Sequence, residues 1–337
     1  MSKKVAVLNG DGVGPELMAA AMKVMKATGA NVEFIECPGG AEWWQANGGN
    51  TLIPEQSWKS MDEADAIFKG PTTTPGGIGS PKSVAVSIRQ RYDLYANVRP
   101  IKSYKGTPSP LGEVDFVCVR EGTEGLYVGE EIQITDDVVI AIRKITRPAC
   151  MRIAKYAFEE AQRRGWKAVV AIHKSNILKK TDGTFLQECE KVKHDFPGIE
   201  LEEYHIDNVA QQLIKNPLIF NQKVLLSTNL FMDVLSEECS ALVGSIGLIY
   251  SANIGDKKAM FEPAHGSAPK YRGMDKTNPV ATILAGAWML DYLGEKQAAQ
   301  KIFKATEKVI AEGKTITYDL GGSAKTSEMA DEIIKNL

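Results

Sequence analysis

The chain is poor in the features that would mark it as secreted, membrane-bound or nucleic-acid-binding. Its five cysteines, Cys37, Cys118, Cys150, Cys189 and Cys239, are odd in number, scattered over 337 residues and without a CxxC pair. That excludes a disulfide framework and a thiolate zinc centre, and the thiols read as reduced. No charge of one sign dominates. The net charge is −2 and the pI about 6.2, which gives no basis for a nucleic-acid or membrane-surface partner. The longest apolar run, within Ala281–Leu293, is too short and interrupted to span a bilayer. MSKKVAVLNGDG has no signal-peptide run, so a cytoplasmic location is expected. A GxGxxG fingerprint is missing too. The first glycines fall at Gly10, Gly12 and Gly14, and Pro15 removes an N–H where a pyrophosphate would bind. NGDGVGPE therefore reads as a tight structural turn.

What is present is an ordinary soluble composition, 44% hydrophobic and 24% charged, in a chain long enough for two domains. Strand-like and helix-like segments alternate. Val5–Leu8, Val32–Glu36, Ala66–Lys69, Leu94–Val98, Asp115–Arg120, Ala168–His173, Val224–Ser227 and Ala252–Gly255 predict strands. Pro15–Thr28, Ser83–Arg91, the stretch around Asp233, Pro279–Leu293, Lys296–Glu312 and Ser327–Lys335 predict helices. Gly129–Thr146 alternates and is rich in Ile and Val, which suggests a hairpin or clasp. The alternation favours an α/β fold around a central sheet, with the strand order left open.

Four groups of residues carry chemistry. Asp233 and Glu237 are four apart in a helical stretch, so their carboxylates share one face and repel unless a cation lies between them. With Asp207 from a separate segment they offer the oxygen ligands that Mg²⁺ or Mn²⁺ prefers. Arg89, Arg99 and Arg120 stand at a helix end, after a strand and at a strand end. If they converge, they form a trap for a multiply charged carboxylate. Tyr127 and Lys174 suit proton transfer. Lys270, Tyr271 and Arg272 follow His265-Gly266 and could hold a phosphate and stack on a purine. Each set also has a plain alternative: solvated acids, surface ion pairs, a packing aromatic, a snorkelling lysine or a generic basic loop.

Taken together, the segments NGDGVGPE, KGPTTTP, DLYANVRP, VREGTEGLY, HKSNI, HIDNVAQQL, TNLFMDVLSEE, SANIGD, FEPAHGSAP and TYDLGGSAKTSE resemble the metal-dependent β-decarboxylating dehydrogenases. This family includes the isocitrate, homoisocitrate, 3-isopropylmalate and D-malate or tartrate enzymes. The segments fall in family order across essentially the whole chain. The resemblance implies the isocitrate/isopropylmalate dehydrogenase-like fold, with a large cofactor-binding domain from residues 1–94 and 245–337. A smaller α/β domain would come from 95–123 and 150–244, and a clasp from 124–149. It implies a homodimer with shared active sites and a small 2-hydroxy acid substrate with a malate core. Thr73, Ser83, Arg89, Arg99, Arg120 and Asn176 would bind that substrate. Tyr127 would protonate the enolate, with Lys174 and Asp207 supplied by the partner subunit. The metal ligands would be Asp233, Glu237 and Asp207. Thr74, Glu262, His265, Gly266, Lys270, Tyr271, Asn278 and Tyr318 would bind the cofactor.

Several positions depart from the family pattern. Glu237 replaces a usual aspartate, and Met232 stands where many members have glycine and is expected to crowd the metal approach. Ala85 replaces the asparagine that in isocitrate enzymes grips the extra carboxylate. Ser83 keeps the companion position, although the longer loop lets Ser80 compete for it. Val86 stands where homoisocitrate enzymes often carry arginine, and Val84 and Ala85 suit an isopropyl group only weakly. Lys270 replaces the aspartate of NAD-using members, and with Tyr271 and Tyr318 it looks like an NADP 2′-phosphate site. Gly322 stands where some NADP enzymes add an arginine. The leading expectation is NADP-dependent isocitrate oxidation. Homoisocitrate or 3-isopropylmalate oxidation is the alternative, and behind it a non-catalytic regulatory subunit.

Overall fold

A computed structural model describes residues 2–77 and 79–337. The first third of the chain forms β1 (Lys3–Leu8), α1 (Gly14–Ala27), β2 (Val32–Glu36), α2 (Ala41–Asn47), α3 (Glu55–Glu63), β3 (Ala66–Lys69) and α4 (Val84–Arg91). The middle begins with β4 (Ala96–Lys102), β5 (Asp115–Glu121), β6 (Glu131–Thr135), β7 (Val138–Ala141) and α5 (Arg147–Arg164). It continues with β8 (Ala168–His173), α6 (Thr181–Lys193), β9 (Glu200–His205), α7 (Ile206–Lys215), β10 (Lys223–Ser227) and α8 (Asn229–Ala241). The last part adds β11 (Tyr250–Ile254), β12 (Ala259–Pro263), α9 (Val280–Tyr292), α10 (Lys296–Glu312) and α11 (Thr326–Lys335).

Ten strands make one sheet in the order β2-β1-β3-β12-β11-β4-β5-β10-β8-β9. Strands from both chain ends build one half and strands from the middle build the other. The fold class is α/β, as the alternation predicts. The outer pairs are parallel, and the ladder turns antiparallel where β12, β11, β4 and β5 meet. Helices cover both faces, so the inner parallel strands are largely apolar; all six residues of β8 are buried. The helix α9 is apolar on every side and buried from Val280 to Ala287.

The NGDG turn after β1 is a structural hub. Gly10 and Gly12 adopt φ of +78° and +59°, where other residues are strained. A Cβ on Gly10 would meet the Pro71 carbonyl at 2.1 Å, and one on Gly12 the Ser267 carbonyl at the same distance. The buried Asp11 carboxylate accepts N–H bonds from Ala41 (3.1 Å), Glu42 (2.8 Å) and Thr73 (2.7 Å). One acid thus fixes the loop after β3 against the start of α2.

The β6–β7 hairpin stands apart as its own two-stranded sheet. It exposes Ile132, Ile134, Val138, Val139 and Ile140 at 43–57%. Such an apolar patch calls for cover. It lies within the segment expected to act as a clasp. No helix among the described residues is long and apolar enough to cross a membrane.

Candidate active site

The antiparallel centre of the sheet brings the three arginines together. Antiparallel register sets Arg120 of β5 opposite Asn97 of β4, with Arg99 two residues further along the same face of β4. Arg89, in the last turn of α4, reaches in from the side. All three are at most 7% exposed. Buried cations need partners, and each has them. Arg89 donates Nε to Asn253 at 2.7 Å and pairs with Glu262 at 3.3 Å. Arg99 donates to Ser236 at 3.0 Å and to Glu237 at 2.6 Å. Arg120 donates Nε to Asn229 at 2.9 Å and Nη1 to Asp233. Burial, and next the nearby Arg89, pull the Arg120 guanidinium down to about 10, so it stays charged at neutral pH.

A cavity of about 220 Å³ opens beside this cluster. Its walls include Lys69, Thr72, Thr74, Ser83, the three arginines, Tyr127, Asp233, Glu262, His265 and Gly266. Tyr127 donates its hydroxyl to Asp233, and the Arg120 guanidinium lies 4.8 Å from its ring centroid. Burial and then the bond to Asp233 raise the Tyr127 phenol. It is therefore a protonated donor at neutral pH. Burial alone would raise Glu262, but Lys69 (2.8 Å) and Arg89 pull it down to about 2.

A second cavity of about 400 Å³ shares His265 and Gly266 with the first. Tyr271, Thr277, Asn278, Tyr318 and Asp319 line it. Asn278 donates to Asp319 at 2.9 Å, and the Tyr271 and Tyr318 rings lie 6.1 Å apart. Burial holds His265 below its ordinary value, and its buried Nε2 has no partner among the described residues. The buried Thr277 Oγ1 is unpartnered as well. Unsatisfied polar atoms in a cavity wall fit a ligand carrying hydrogen-bonding groups.

Lys174 and Asp207 sit elsewhere. They form their own pair at 2.7 Å where β8 and β9 end, with the Asp207 side chain 67% exposed. Asn176 is exposed in the adjoining turn. None of the three lines either cavity. Among the described residues no three His, Cys, Asp or Glu side chains of one chain cluster for a metal. The donor chemistry still fits a hard cation: Asp233 and Glu237 offer neighbouring oxygens from α8, and one further oxygen would complete a set of three.

The structure refines several other residues. Thr73 turns its hydroxyl to Ser267 at 2.6 Å, while Thr72 and Thr74 line the cavity on either side of it. Ser83 lines the cavity, whereas Ser80 donates to the Gly76 carbonyl at 2.7 Å. Met232 does not crowd Asp233: it is fully buried in the core behind α8. Val84 is buried in a different core cluster, so Ala85 and Val86 face the cavity. Glu262 lines the first cavity rather than the second. Two cations escape the sequence reading, Lys69 of the quoted KGP segment and Lys276. The Lys276 Nζ lies 4.6 Å from the Tyr318 ring centroid.

Comparisons with known proteins bear on the chain as a whole. The family described as isocitrate/isopropylmalate dehydrogenase matches residues 4–333. A 3-isopropylmalate dehydrogenase of Methanothermobacter thermautotrophicus is 44% identical, covering 100% of this chain and 99% of that protein. The alpha subunit of the mitochondrial isocitrate dehydrogenase [NAD] of Bos taurus is 40% identical, covering 99% of this chain and 90% of that one. The crystal structure of isocitrate dehydrogenase from Methylococcus capsulatus superposes with a TM-score of 0.94 at 40% identity, covering 99% of each chain.

Proposed function

The chain belongs to the isocitrate/isopropylmalate dehydrogenase family, and from that premise we propose that it oxidises and decarboxylates a malate-core 2-hydroxy acid, reducing NADP, as a metal-dependent homodimer. The observation that carries the reading is the convergence of Arg89, Arg99 and Arg120 on one cavity with Tyr127 and Asp233. Substrate carboxylates would take over guanidinium bonds now made to Asp233, Glu237 and Glu262, each fork giving paired charge-assisted contacts. Asp233 and Glu237, with the partner subunit's Asp207, would hold Mg²⁺ or Mn²⁺. Such a cation acidifies the substrate hydroxyl and stabilises negative charge on oxygen. The residues lining the second cavity would hold the adenosine end of NADP, which would supply the hydride acceptor.

The remaining steps fall to side chains. Lys174 of the partner subunit, paired with Asp207, would take and return the proton at the 2-hydroxyl. Tyr127 would deliver a proton to the carbon that loses CO₂. It stays protonated because burial and its bond to Asp233 both oppose ionisation.

The side group is the open choice. Ala85 and Val86 face it together with hydroxyls from Thr72, Thr74 and Ser83. The one lysine in this lining among the described residues, Lys69, is already paired with Glu262. With the three arginines assigned to the two carboxylates of the malate core, a third substrate carboxylate would have no further unpaired cation, and a small uncharged group, as in a 3-alkylmalate, fits better. Isocitrate is the second reading, favoured by the Ser83 hydroxyl in the cavity wall. A substrate panel with either metal and either cofactor tests both. We expect turnover with a 3-alkylmalate to exceed that with isocitrate, and Ala85→Asn to shift preference toward isocitrate. Preference for isocitrate would favour the second reading. No turnover with any 2-hydroxy acid would overturn the enzymatic reading.

A further inference from the structure

The loop after His265 carries three cations, Lys270, Arg272 and Lys276, and they are treated differently. Arg272 pairs with Glu42 at 3.1 Å. Lys270 and Lys276 make no ion pair among the described residues. Both instead flank one tyrosine: their Nζ atoms lie 4.7 Å and 5.7 Å from the Tyr271 ring centroid. Lys276 is also 4.6 Å from the Tyr318 ring centroid. Two like charges around one ring, neither of them in an ion pair among the described residues, raise the electrostatic energy of the free protein. Asp319, the acid in the lining of the second cavity, is engaged by Ser245, Asn278 and Thr317 at 2.5–2.9 Å. The arrangement suits a dianion placed between the two lysines and the two phenols.

We infer that Lys276 is a second determinant of cofactor choice, gripping the 2′-phosphate from the Tyr318 side while Lys270 grips it from the Tyr271 side. The inference rests on the NADP reading above. It also accounts for the glycine at position 322, where a further arginine is missing: the second positive charge comes from the loop before α9 instead.

The test uses fragments, so it does not depend on turnover. Binding of adenosine 2′,5′-bisphosphate and of AMP is measured by calorimetry on the intact protein and on Lys270→Ala, Lys276→Ala and Lys276→Arg variants. The unmodified protein should prefer the bisphosphate. Lys276→Ala should weaken bisphosphate binding about tenfold, leave AMP binding unchanged and flatten the salt dependence, while Lys276→Arg restores most of the affinity. Lys276 is exposed, so the alanine variant should fold; an unchanged melting temperature checks this. If Lys270→Ala loses the preference and Lys276→Ala keeps it, the inference is overturned and the NADP reading stands. If the unmodified protein does not distinguish the two fragments, both fail.

Discussion

The arginine cluster and the Lys174–Asp207 pair are built to opposite rules. In the first, every charged group has a partner and all but the exposed Glu237 are buried or half-buried: Arg120 on Asp233 and Asn229, Arg99 on Glu237, Arg89 and Lys69 on Glu262. In the second, a half-buried lysine, its side chain 26% exposed, reaches an aspartate that is 67% exposed. Exposed pairs contribute little to stability, so this one is not there to hold the chain together. On the proposed reading, one chain would build the substrate trap and carry its proton-transfer pair on the outside, where it would serve another copy. The apolar surface nearby agrees, with Ile177, Ile214 and Val234 exposed at 61–69%.

Changes inside the cluster should have the largest effects. Asp233→Asn is expected to take turnover below detection, while circular dichroism shows the fold intact. Glu237→Asp should retain activity, since it keeps the charge and shortens the arm. Normal rates for Asp233→Asn at low Mg²⁺ would remove Asp233 from the metal site. Next come Tyr127→Phe and Lys174→Met. Each should lower kcat by about a hundred- to ten-thousandfold with a smaller change in KM, the usual loss for one general acid or base. Equal losses in KM would point to substrate binding instead.

Glu262→Gln probes the burial that separates the two regions. It leaves Lys69 and Arg89 buried without their acid and should destabilise the protein by about 3–5 kcal/mol, read by urea unfolding. The pH dependence has a definite sign. Glu262 lies at about 2 in the folded chain against an ordinary value of 4.5, so its stabilisation is present above about pH 4.5. It is lost as pH falls toward 2, a contribution of about 3 kcal/mol. That acid limb should vanish in Glu262→Gln, whereas Asp207→Asn, at the exposed pair, should leave stability nearly unchanged. The smallest effect is expected at the rim of the second cavity. Lys270→Asp should shift preference from NADP toward NAD by roughly ten- to a hundredfold.

Much of this is legible in the sequence, for physical reasons. Inner strands such as β1, β5, β8 and β10 each carry a continuous apolar run. The edge strand β9, ELEEYH, alternates with acids and escapes the same reading. The helix α5 is left unassigned despite clear signals: Thr146 caps it and Gly165 ends it in the left-handed region. Strand order is not readable, because β11 meets β4 and β12 meets β3 across long stretches of chain. Motifs supply the arginines but not their partners. That Met232 turns to the core while Asp233 faces the cavity follows from the rotation of α8, which neighbouring positions in a helix do not reveal. Lys69 is overlooked because a buried lysine is recognisable only once Glu262 is seen opposite it.

The central claim is that each active site draws on two chains, and mixed dimers test it most directly. Tyr127→Phe and Lys174→Met chains should each be nearly inactive alone. Co-refolded in equal amounts, they should yield mixed dimers in which one site has both defects and the other has neither. The account predicts recovery of about a quarter of the unmodified activity at random mixing, half of the dimers being mixed and each carrying one intact site. Activity that stays at the level of the separate variants, with mixed dimers demonstrated by mass, would contradict it.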